Sequence, residues 1–383
     1  MKLLHVVPTY LPAWRHGGPI LAVHGLCKAL AARGHEVTVF TTDVHGRGRL
    51  DVPLGRPVGI DGVEVRYFPV RPPRRLYWAP GLAAAAREEV ARFDAVHLHS
   101  VFLWPTNAAA RAAERAGVPY LLSPRGMLVP ELIRSRGRWR KLAWLALAER
   151  RTLKRAAALH ATSALEAADL DRLGFPLPPA FVVPNGIVPE PWDGDLAALS
   201  PAVQTVVEGP PFLLFLGRLS WKKGLDRLIP ALAALPGTPL AAAGNDEEGI
   251  QPGLERLAHT SGVADRVRFL GPVHGTDKAA LLHRAAALVL PSRSENFGNV
   301  VLEAWAAGRP VVVTPEVGLA ATVRETGAGI VVDGDLGTSL KKLVGDPAGL
   351  DAMGRRGAAA VRERFGWEPV AREMEKAYER VAG

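Results

Sequence analysis

The sequence predicts an α/β protein built from two doubly wound, Rossmann-like domains. Short β-branched or apolar runs alternate with longer helical patterns, which is typical of βαβ units with parallel sheets. The alternation restarts after a proline-rich stretch at residues 176–211. The chain has 383 residues, more than the roughly 250–300 residues at which a single core stops growing. We therefore expect two domains facing each other across a cleft.

In the first half, short apolar runs predict strands and the longer patterns between them predict helices. The predicted strands are Leu3–Val7, Glu36–Thr42, Val63–Phe68, Ala95–His99, Tyr120–Ser123, Leu159–Thr162 and Phe181–Val183. The predicted helices are Ile20–Arg33, Pro80–Arg92, Trp104–Ala116 and Arg138–Ala158.

The second half repeats the same alternation. The predicted strands are Phe212–Leu216, Leu240–Ala243, Val267–Leu270, Ala287–Leu290, Val311–Thr314 and Gly329–Val332. The predicted helices are Leu225–Leu235, Leu254–Ser261, Asp277–Ala286 and Val300–Ala307.

The proline-rich stretch predicts the domain boundary. Proline ends regular elements, so the stretch is interpreted as a linker. The boundary is placed near Pro184–Pro191, which gives an N-terminal domain at 1–186 and a C-terminal domain at 187–366. A final helical pattern, within residues 367–383, is expected to pack back toward the N-terminal domain.

Charge and composition limit the classes of partner and compartment. The formal net charge of +9 favours anionic partners, namely nucleotide phosphates, anionic lipids or nucleic acid. No nucleic-acid-binding motif is recognised, so no nucleic-acid partner is expected. A single cysteine, Cys27, allows no intramolecular disulfide and is compatible with a reducing compartment. The N-terminal residues are interpreted as a first strand rather than a signal peptide, and no apolar run is long enough to predict a transmembrane helix.

Two loops in the second half carry residues suited to a phosphorylated sugar. Arg218 and Lys223 follow a predicted strand and precede a helix, where free N–H groups and the helix dipole favour phosphate. Glu295 and Glu303 flank the start of a later helix, and carboxylates accept hydrogen bonds from sugar hydroxyls. Taken alone, the first loop is better explained as a solvated basic turn. Taken alone, the second pair is better explained as a loop acid and an exposed helix acid.

Further backbone positions could line the same ligand. Gly298 precedes the predicted helix, and the amides of Asn299, Val300 and Val301 are expected to point at an incoming phosphate. A turn at Gly244 and the segment containing Val273 follow other strands of the same half, although ordinary turn chemistry also explains them.

The joint pattern resembles the retaining GT-B glycosyltransferases of family 4, the "group 1" family. The matching segments are LFLGRLSWKKG, RFLGPV and LPSRSENFGNVVLEAWAAGRPVV. The resemblance implies a GT-B fold, with the acceptor on the N-terminal domain and a nucleotide-sugar donor on the C-terminal domain. It implies that Arg218 and Lys223 hold the donor diphosphate, that Glu295 contacts the transferred sugar and that Glu303 contacts the ribose. Other donor contacts are expected from Gly244, Val273, Phe297, Gly298, Asn299 and Val300.

The first half supplies expected contacts on the opposite side of the ligand. By the resemblance, Gly17 and Gly18 form a loop that faces the donor phosphates. Arg125 stands where many family members carry a histidine beside the transferred sugar, so its role toward phosphate or an anionic acceptor is left open. His99 ends a predicted strand and is interpreted either as a sugar-side or acceptor-side residue or as a structural histidine.

The cations predict stabilisation of the leaving diphosphate without a metal, so no cofactor is expected. Two Asp-Gly-Asp triplets, Asp193–Asp195 and Asp333–Asp335, are interpreted as turns rather than metal ligands. The expected reaction moves a hexose-type sugar to a saccharide or lipid-linked acceptor, in cell-envelope or exopolysaccharide synthesis. The alternatives are a sugar-nucleotide epimerase of the same fold, a glycogen- or starch-synthase type of transferase, or a two-lobed sugar-binding protein.

A basic and aromatic segment at residues 136–155 raises the question of membrane attachment. Tryptophan and arginine suit a lipid interface with anionic headgroups. Peripheral docking to an anionic surface and a core helix with charged ends are both compatible with the pattern. The expected location is the cytoplasm, with or without attachment to the inner face of the membrane.

Overall fold

The computed structural model describes residues 1–13, 18–46, 48–134 and 138–383. The chain divides into two compact units, one formed by Met1–Gly186 with Trp367–Gly383 and the other by Ile187–Gly366. Each unit contains a mainly parallel sheet with helices between its strands. Strands and helices are numbered along the chain. Among the described residues, no helix is long and apolar enough to cross a lipid bilayer.

The first unit is built on an eight-stranded sheet with the order β10-β9-β8-β7-β1-β2-β6-β5. All neighbours in this sheet are parallel except β5, which runs antiparallel to β6 at the edge. The inner strands are buried because helices cover both faces of a parallel sheet. The strands of this unit, including the β3-β4 ribbon, are β1 Lys2–Val6, β2 Glu36–Thr42, β3 Val44–His45, β4 Gly48–Arg49, β5 Pro57–Ile60, β6 Val63–Phe68, β7 Ala95–His99, β8 Tyr120–Ser123, β9 Ala158–Ala161 and β10 Ala180–Val182.

The helices of the first unit connect these strands as crossovers. They are α1 Gly18–Ala32, α2 Pro80–Glu89, α3 Trp104–Ala116, α4 Pro130–Arg134, α5 Arg138–Trp144, α6 Arg150–Arg155 and α7 Ala164–Asp171, with α16 Trp367–Ala382 at the C-terminus. A π-helical turn at Leu145–Glu149 joins α5 to α6. The predicted helix Arg138–Ala158 therefore forms as three helical pieces that end at Arg155, and its predicted end was wrong, because Ala158 is the first residue of β9.

The C-terminal helix α16 packs on α1 within the first unit. Val370, Ala371 and Met374 lie in the same buried cluster as residues of α1. Ion pairs extend this contact at the surface, because Arg33 bonds Glu368 at 2.9 Å and Glu375 at 2.6 Å. The apolar stripe of α16 therefore supplies part of the first unit's core.

The second unit contains a six-stranded parallel sheet with the order β13-β12-β11-β14-β15-β16. Its strands β11, β12 and β14 are fully buried, as expected for short apolar runs covered on both faces. The strands are β11 Leu213–Leu216, β12 Leu240–Ala243, β13 Val267–Gly271, β14 Ala287–Leu290, β15 Val311–Val313 and β16 Gly329–Val331.

The helices of the second unit include four that the sequence patterns did not predict. The full set is α8 Pro201–Glu208, α9 Leu225–Ala231, α10 Gln251–Thr260, α11 Gly275–Arg284, α12 Asn299–Ala306, α13 Ala320–Thr326, α14 Leu336–Val344 and α15 Pro347–Ala360. The four unpredicted helices are α8, α13, α14 and α15. The helix α8 lies inside the stretch interpreted as a linker. A helix can form there because Pro201 occupies the first helical turn, where proline is tolerated.

Candidate active site

The second unit's sheet has its topological switch point between β11 and β14. From β11 the chain passes to β12 and β13 on one side, and from β14 it passes to β15 and β16 on the other. Ligands of open α/β sheets bind at such a point, beyond the carboxyl ends of the strands. The two loops singled out from the sequence, 217–224 and 291–298, follow these two neighbouring strands.

These two loops are bound to each other. The backbone N–H of Arg293 donates to the Lys222 carbonyl at 2.7 Å, and its guanidinium pairs with Asp226 at 2.7 Å. The hydrogen bond from Arg293 lowers the pKa of Asp226. Gly224 has a φ of +73°, and a Cβ there would lie 2.0 Å from the Pro291 carbonyl oxygen. The close approach of the loops therefore depends on glycine at this position.

The structure brings Lys223 and Glu295 together. Their side chains form an ion pair and are only 19% and 18% exposed. Arg218 lies in the same loop as Lys223, but its side chain is 65% exposed and pairs with Glu247 at 3.4 Å. Exposed pairs of this kind contribute little stability, so Arg218 can reorient toward a ligand at small cost.

Glu303 lies on α12 and faces Lys278 of α11. The ammonium of Lys278 contacts Glu303 at 3.1 Å and Glu190 at 3.2 Å. Burial raises the pKa of Glu303. Burial also lowers the pKa of Lys278, but the two carboxylates outweigh it, so that the net shift is upward. The Oε2 atom of Glu303 is buried and accepts no hydrogen bond within the described part of the chain.

The other predicted donor positions offer backbone rather than side chains. Gly298 has a φ of +93° and directly precedes α12, which begins at Asn299. Val301 was expected to point its amide at a ligand, but this N–H donates to the Gly298 carbonyl at 2.9 Å. Phe297 and Val273 pack into the unit's core and are 3% and 9% exposed.

The remaining residues predicted to contact the sugar donor lie at the starts of helices or in a turn after a strand. Gly244 follows β12, and its N–H donates to the Gly271 carbonyl at 2.7 Å. Val300 is the second residue of α12. Gly18 is the first residue of α1, whereas Gly17 lies outside the described residues.

On the first unit, Arg125 and His99 are in contact. Arg125 follows β8, has a left-handed φ of 57° and donates to the Asn185 side-chain oxygen at 2.7 Å. Its other terminal nitrogen lies 3.3 Å from His99 Nδ1. Desolvation lowers the pKa of Arg125, and the carboxylate of Glu166 opposes that shift.

Sequence reasoning missed Lys278 and Asn185. Lys278 lies in the first four residues of α11, where the helix dipole disfavours a cation, and that unusual placement was the available indication. No local pattern marked Asn185, because its partner Arg125 is 60 residues away. Of the two Asp-Gly-Asp triplets, one uses Asp335 to cap α14 through the Thr338 N–H at 2.6 Å.

Comparison with known proteins decides the family. Residues 17–186 match the family model of the glycosyl transferase 4-like domain, and residues 199–357 match that of the glycosyl transferases group 1. A D-inositol 3-phosphate glycosyltransferase of Xylanimonas cellulosilytica is 33% identical, over 94% of this chain and 91% of that relative. The chain is a glycosyltransferase of the group 1 family.

Solved structures confirm the predicted GT-B fold of this glycosyltransferase. Sucrose-phosphate synthase of Thermosynechococcus elongatus superposes with a TM-score of 0.78 at 22% identity, covering 99% of this chain and 98% of that one. HepE of Anabaena, solved in complex with UDP and glucose, gives 0.74 at 21% identity, covering 99% and 100%. A glycogen synthase of Mycobacterium tuberculosis is 35% identical over 51% of the glycosyltransferase and 47% of that protein.

Proposed function

We propose that this glycosyltransferase moves a hexose-type sugar from a nucleotide-sugar to a saccharide or lipid-linked acceptor, with retention of anomeric configuration and without a metal. The supporting observation is the position of the Lys223–Glu295 pair in two interlocked loops at the switch point of the second unit's sheet. A cation suited to phosphate and a carboxylate suited to sugar hydroxyls thus lie next to each other at this site. The acceptor belongs to cell-envelope or exopolysaccharide synthesis, and the enzyme acts in the cytoplasm.

In this proposal, the donor diphosphate is held by Arg218, Lys223 and the N-terminus of α12. Fixed positive groups at a site of developing negative charge are usually the largest contribution to such catalysis. The guanidinium offers a planar fork and the ammonium a compact charge. Because the chain itself provides these groups, the reaction needs no metal cofactor.

The two glutamates bind the sugar and nucleotide parts of the same donor. Glu295, next to Lys223, accepts hydrogen bonds from hydroxyls of the transferred sugar. Glu303 accepts a hydrogen bond from a ribose hydroxyl through Oε2, the carboxylate oxygen to which no group among the described residues donates a hydrogen bond. An unpaired buried acceptor costs about 1–3 kcal/mol, and a bound hydroxyl would remove that cost.

Retention follows if the leaving diphosphate takes the acceptor's proton. The bond between the anomeric carbon and the phosphate oxygen breaks. The acceptor hydroxyl oxygen then bonds the anomeric carbon on the same face, while its proton passes to the departing phosphate oxygen. A product of inverted configuration would refute this step.

The relatives indicate which donor to test first. HepE was solved with UDP and glucose, and one relative is named a D-inositol 3-phosphate glycosyltransferase. UDP-glucose is therefore the first donor candidate. A small phosphorylated polyol joins saccharides and lipid-linked sugars as an acceptor to be tested.

A thermal-shift panel tests the donor assignment. Nucleoside diphosphates and their sugar conjugates are compared in EDTA and in magnesium. One nucleotide series is expected to raise the melting temperature equally in both, because ligand binding stabilises the folded state. Hydrolysis of the best sugar conjugate is then followed. Stabilisation and hydrolysis that appear only in magnesium would contradict the metal-independent mechanism.

The segment at residues 138–155 supports peripheral docking to an anionic membrane. No side chain of α5 is buried, which favours docking over a core helix for that part of the segment, whereas Leu153 of α6 is buried. Trp139 is 71% exposed and Leu147 is 83% exposed, among basic residues of α5 and α6. Apolar side chains flanked by cations suit the interface of an anionic bilayer. Residues 136 and 137 of the basic segment lie outside the described residues.

Liposome sedimentation tests this docking. We expect the enzyme to bind vesicles containing about a third anionic lipid and to stay in solution with zwitterionic vesicles, since each basic residue near an anionic surface contributes about 1 kcal/mol. The variant Trp139→Ser/Leu147→Ser should lose binding. Leu54→Ser, which removes a 46% exposed leucine elsewhere in the unit, should keep it. Absence of binding to either vesicle would refute docking.

A further inference from the structure

Six side chains of the first unit form one continuous chain of hydrogen bonds. It contains a central tyrosine, four histidines and an arginine at one end. In spatial order the members are Arg125, His99, His5, Tyr378, His97 and His160, and the chain finishes on the Val183 carbonyl. The histidines come from β1, β7 and β9, and Tyr378 comes from α16. We call this set the histidine chain.

The two ends of the histidine chain fix the direction of its bonds. Arginine only donates and a carbonyl only accepts. His160 Nε2–H therefore donates to the Val183 carbonyl at 2.9 Å, which leaves Nδ1 to accept from His97 Nε2–H at 3.3 Å. At the other end, Arg125 donates to His99 Nδ1 at 3.3 Å, and His99 Nε2–H donates to His5 Nδ1 at 3.0 Å.

Tyr378 joins these two halves. Its hydroxyl donates to His97 Nδ1 at 2.7 Å and accepts from His5 Nε2–H at 3.4 Å. A hydroxyl both donates and accepts, so the direction set by Arg125 continues unchanged to the Val183 carbonyl. Phenylalanine at position 378 would keep the ring and remove this connection.

The same pattern keeps every imidazole neutral. A protonated histidine has no acceptor nitrogen, so it would oppose the N–H of its neighbour in the chain. Burial also lowers the pKa of all four histidines, to about 3 for His5 and His160, and the charge of Arg125 adds to the effect. A metal ion on His5, His97 and His99, whose ligand atoms lie within 4.8 Å of one another, would displace these bonds and face the Arg125 cation.

Arg125 is the charged end of the histidine chain. It follows β8, at the carboxyl edge of the sheet and close to the switch point between β1 and β7. Of the two acceptors that hold its terminal nitrogens, Asn185 is on a loop and His99 belongs to the chain. The carboxylate of Glu166 is bound to the Gly126 and Thr162 N–H groups instead.

We propose that Tyr378 is a positioning residue, which acts through the histidine chain to hold the Arg125 guanidinium in one orientation for its substrate. The proposal rests on the proposed function, in which Arg125 contacts the sugar or the acceptor. It makes the C-terminal helix part of the acceptor-side site, although Tyr378 is 253 residues beyond Arg125 in sequence. Tyr378 contributes orientation and no contact with the substrate.

The test compares Tyr378→Phe with Tyr120→Phe. Tyr120 is buried in the same unit and donates to the Thr152 carbonyl at 2.7 Å, outside the histidine chain. Tyr120→Phe loses one hydroxyl hydrogen bond and Tyr378→Phe loses two, so the free energy of unfolding is measured for both variants to show that each stays folded. With ¹⁵N-labelled histidine and arginine, the wild type and Tyr120→Phe should show four neutral Nε2–H imidazoles and slowly rotating Arg125 terminal amino groups. In Tyr378→Phe the His5 and His97 signals should shift and the Arg125 groups should rotate freely.

Kinetics give the second readout, with UDP-glucose hydrolysis and transfer as the probes. Tyr378→Phe should lower kcat more than tenfold at an unchanged KM for the donor, and Tyr120→Phe should change kcat less than twofold. Unchanged Arg125 signals in Tyr378→Phe would overturn the proposal, and so would altered signals with unchanged kcat. In the second case, full activity of Arg125→Ala would show that Arg125 has no role in the reaction. The hydrogen bonds of the histidine chain would still be supported by the altered signals.

Discussion

Replacing Lys223 with alanine is expected to reduce sugar transfer at least ~100-fold while the protein stays folded. The loss corresponds to about 3 kcal/mol of transition-state stabilisation, the usual effect of removing one fixed group that faces developing charge. Lys223 is proposed to contact the donor diphosphate, and it forms an ion pair with Glu295. Its removal takes away a phosphate contact and leaves Glu295 repelling the donor. The measurement is kcat/KM for transfer, with circular dichroism to verify folding.

Lys222→Ala is the matched control, because it removes the same charge from the adjacent position of the same loop. Its kcat/KM should stay within about threefold of the wild-type value. Glu295→Ala distinguishes the binding of the donor's nucleoside diphosphate from the binding of its sugar. It should bind the nucleoside diphosphate as well as the wild type does but gain nothing from the attached sugar. Equal losses of kcat/KM in Lys222→Ala and Lys223→Ala would show that the loop acts only as a basic surface and not through a specific contact of Lys223.

The second large effect is a loss of stability of the first unit in mild acid. Burial lowers the pKa of His5 and of His160 from the ordinary histidine value of 6.5 to about 3 in the folded protein. Between these values the unfolded chain binds protons that the folded chain excludes, so stability falls as the pH drops below 6.5. Each group contributes about 1.7 kcal/mol between pH 6.5 and 5, because the slope approaches its full value of about 1.4 kcal/mol per pH unit only below pH 6.5. The two groups together should therefore lower the free energy of unfolding by about 3 kcal/mol.

Native-state hydrogen exchange of the β7 amides measures this effect, since these amides report the opening of the first unit's sheet. The free energy of opening should fall steeply from pH 7 to 5. The slope should be smaller in His160→Gln, which removes one of the excluded protons, and unchanged in His274→Gln, which changes an exposed histidine of the second unit. A flat profile in the wild type would show that the histidine chain is protonated without cost.

The strands and the two loops of the candidate site could be predicted from local sequence. Short apolar runs predicted β11 and β14 to within one residue, because a strand buried on both faces leaves a continuous apolar run. Arg218, Lys223, Glu295 and Glu303 were recognisable because they follow strand ends, where ligands of such sheets bind. The sequence patterns therefore located the loops that the structure brings together at the switch point.

Long-range packing was not predictable in the same way. The helix α15 carries Gly354 and Gly357, which lower helix propensity by about 1 kcal/mol each, so no helical pattern was recognised. The structure shows the reason for one of them, since a Cβ at Gly354 would lie 2.0 Å from the Gly308 carbonyl oxygen. The histidine chain was equally hidden. Only the alternation of His97 and His99 along one strand gave a local indication, because its other members come from distant parts of the sequence.

A crystal structure of the enzyme with its nucleotide-sugar donor tests the central claim most directly. We expect one bound molecule whose diphosphate contacts Arg218 and Lys223, whose sugar hydroxyls contact Glu295 and whose ribose contacts Glu303 through Oε2. A donor bound elsewhere, or one that leaves Lys223 paired with Glu295 and untouched by phosphate, would contradict it.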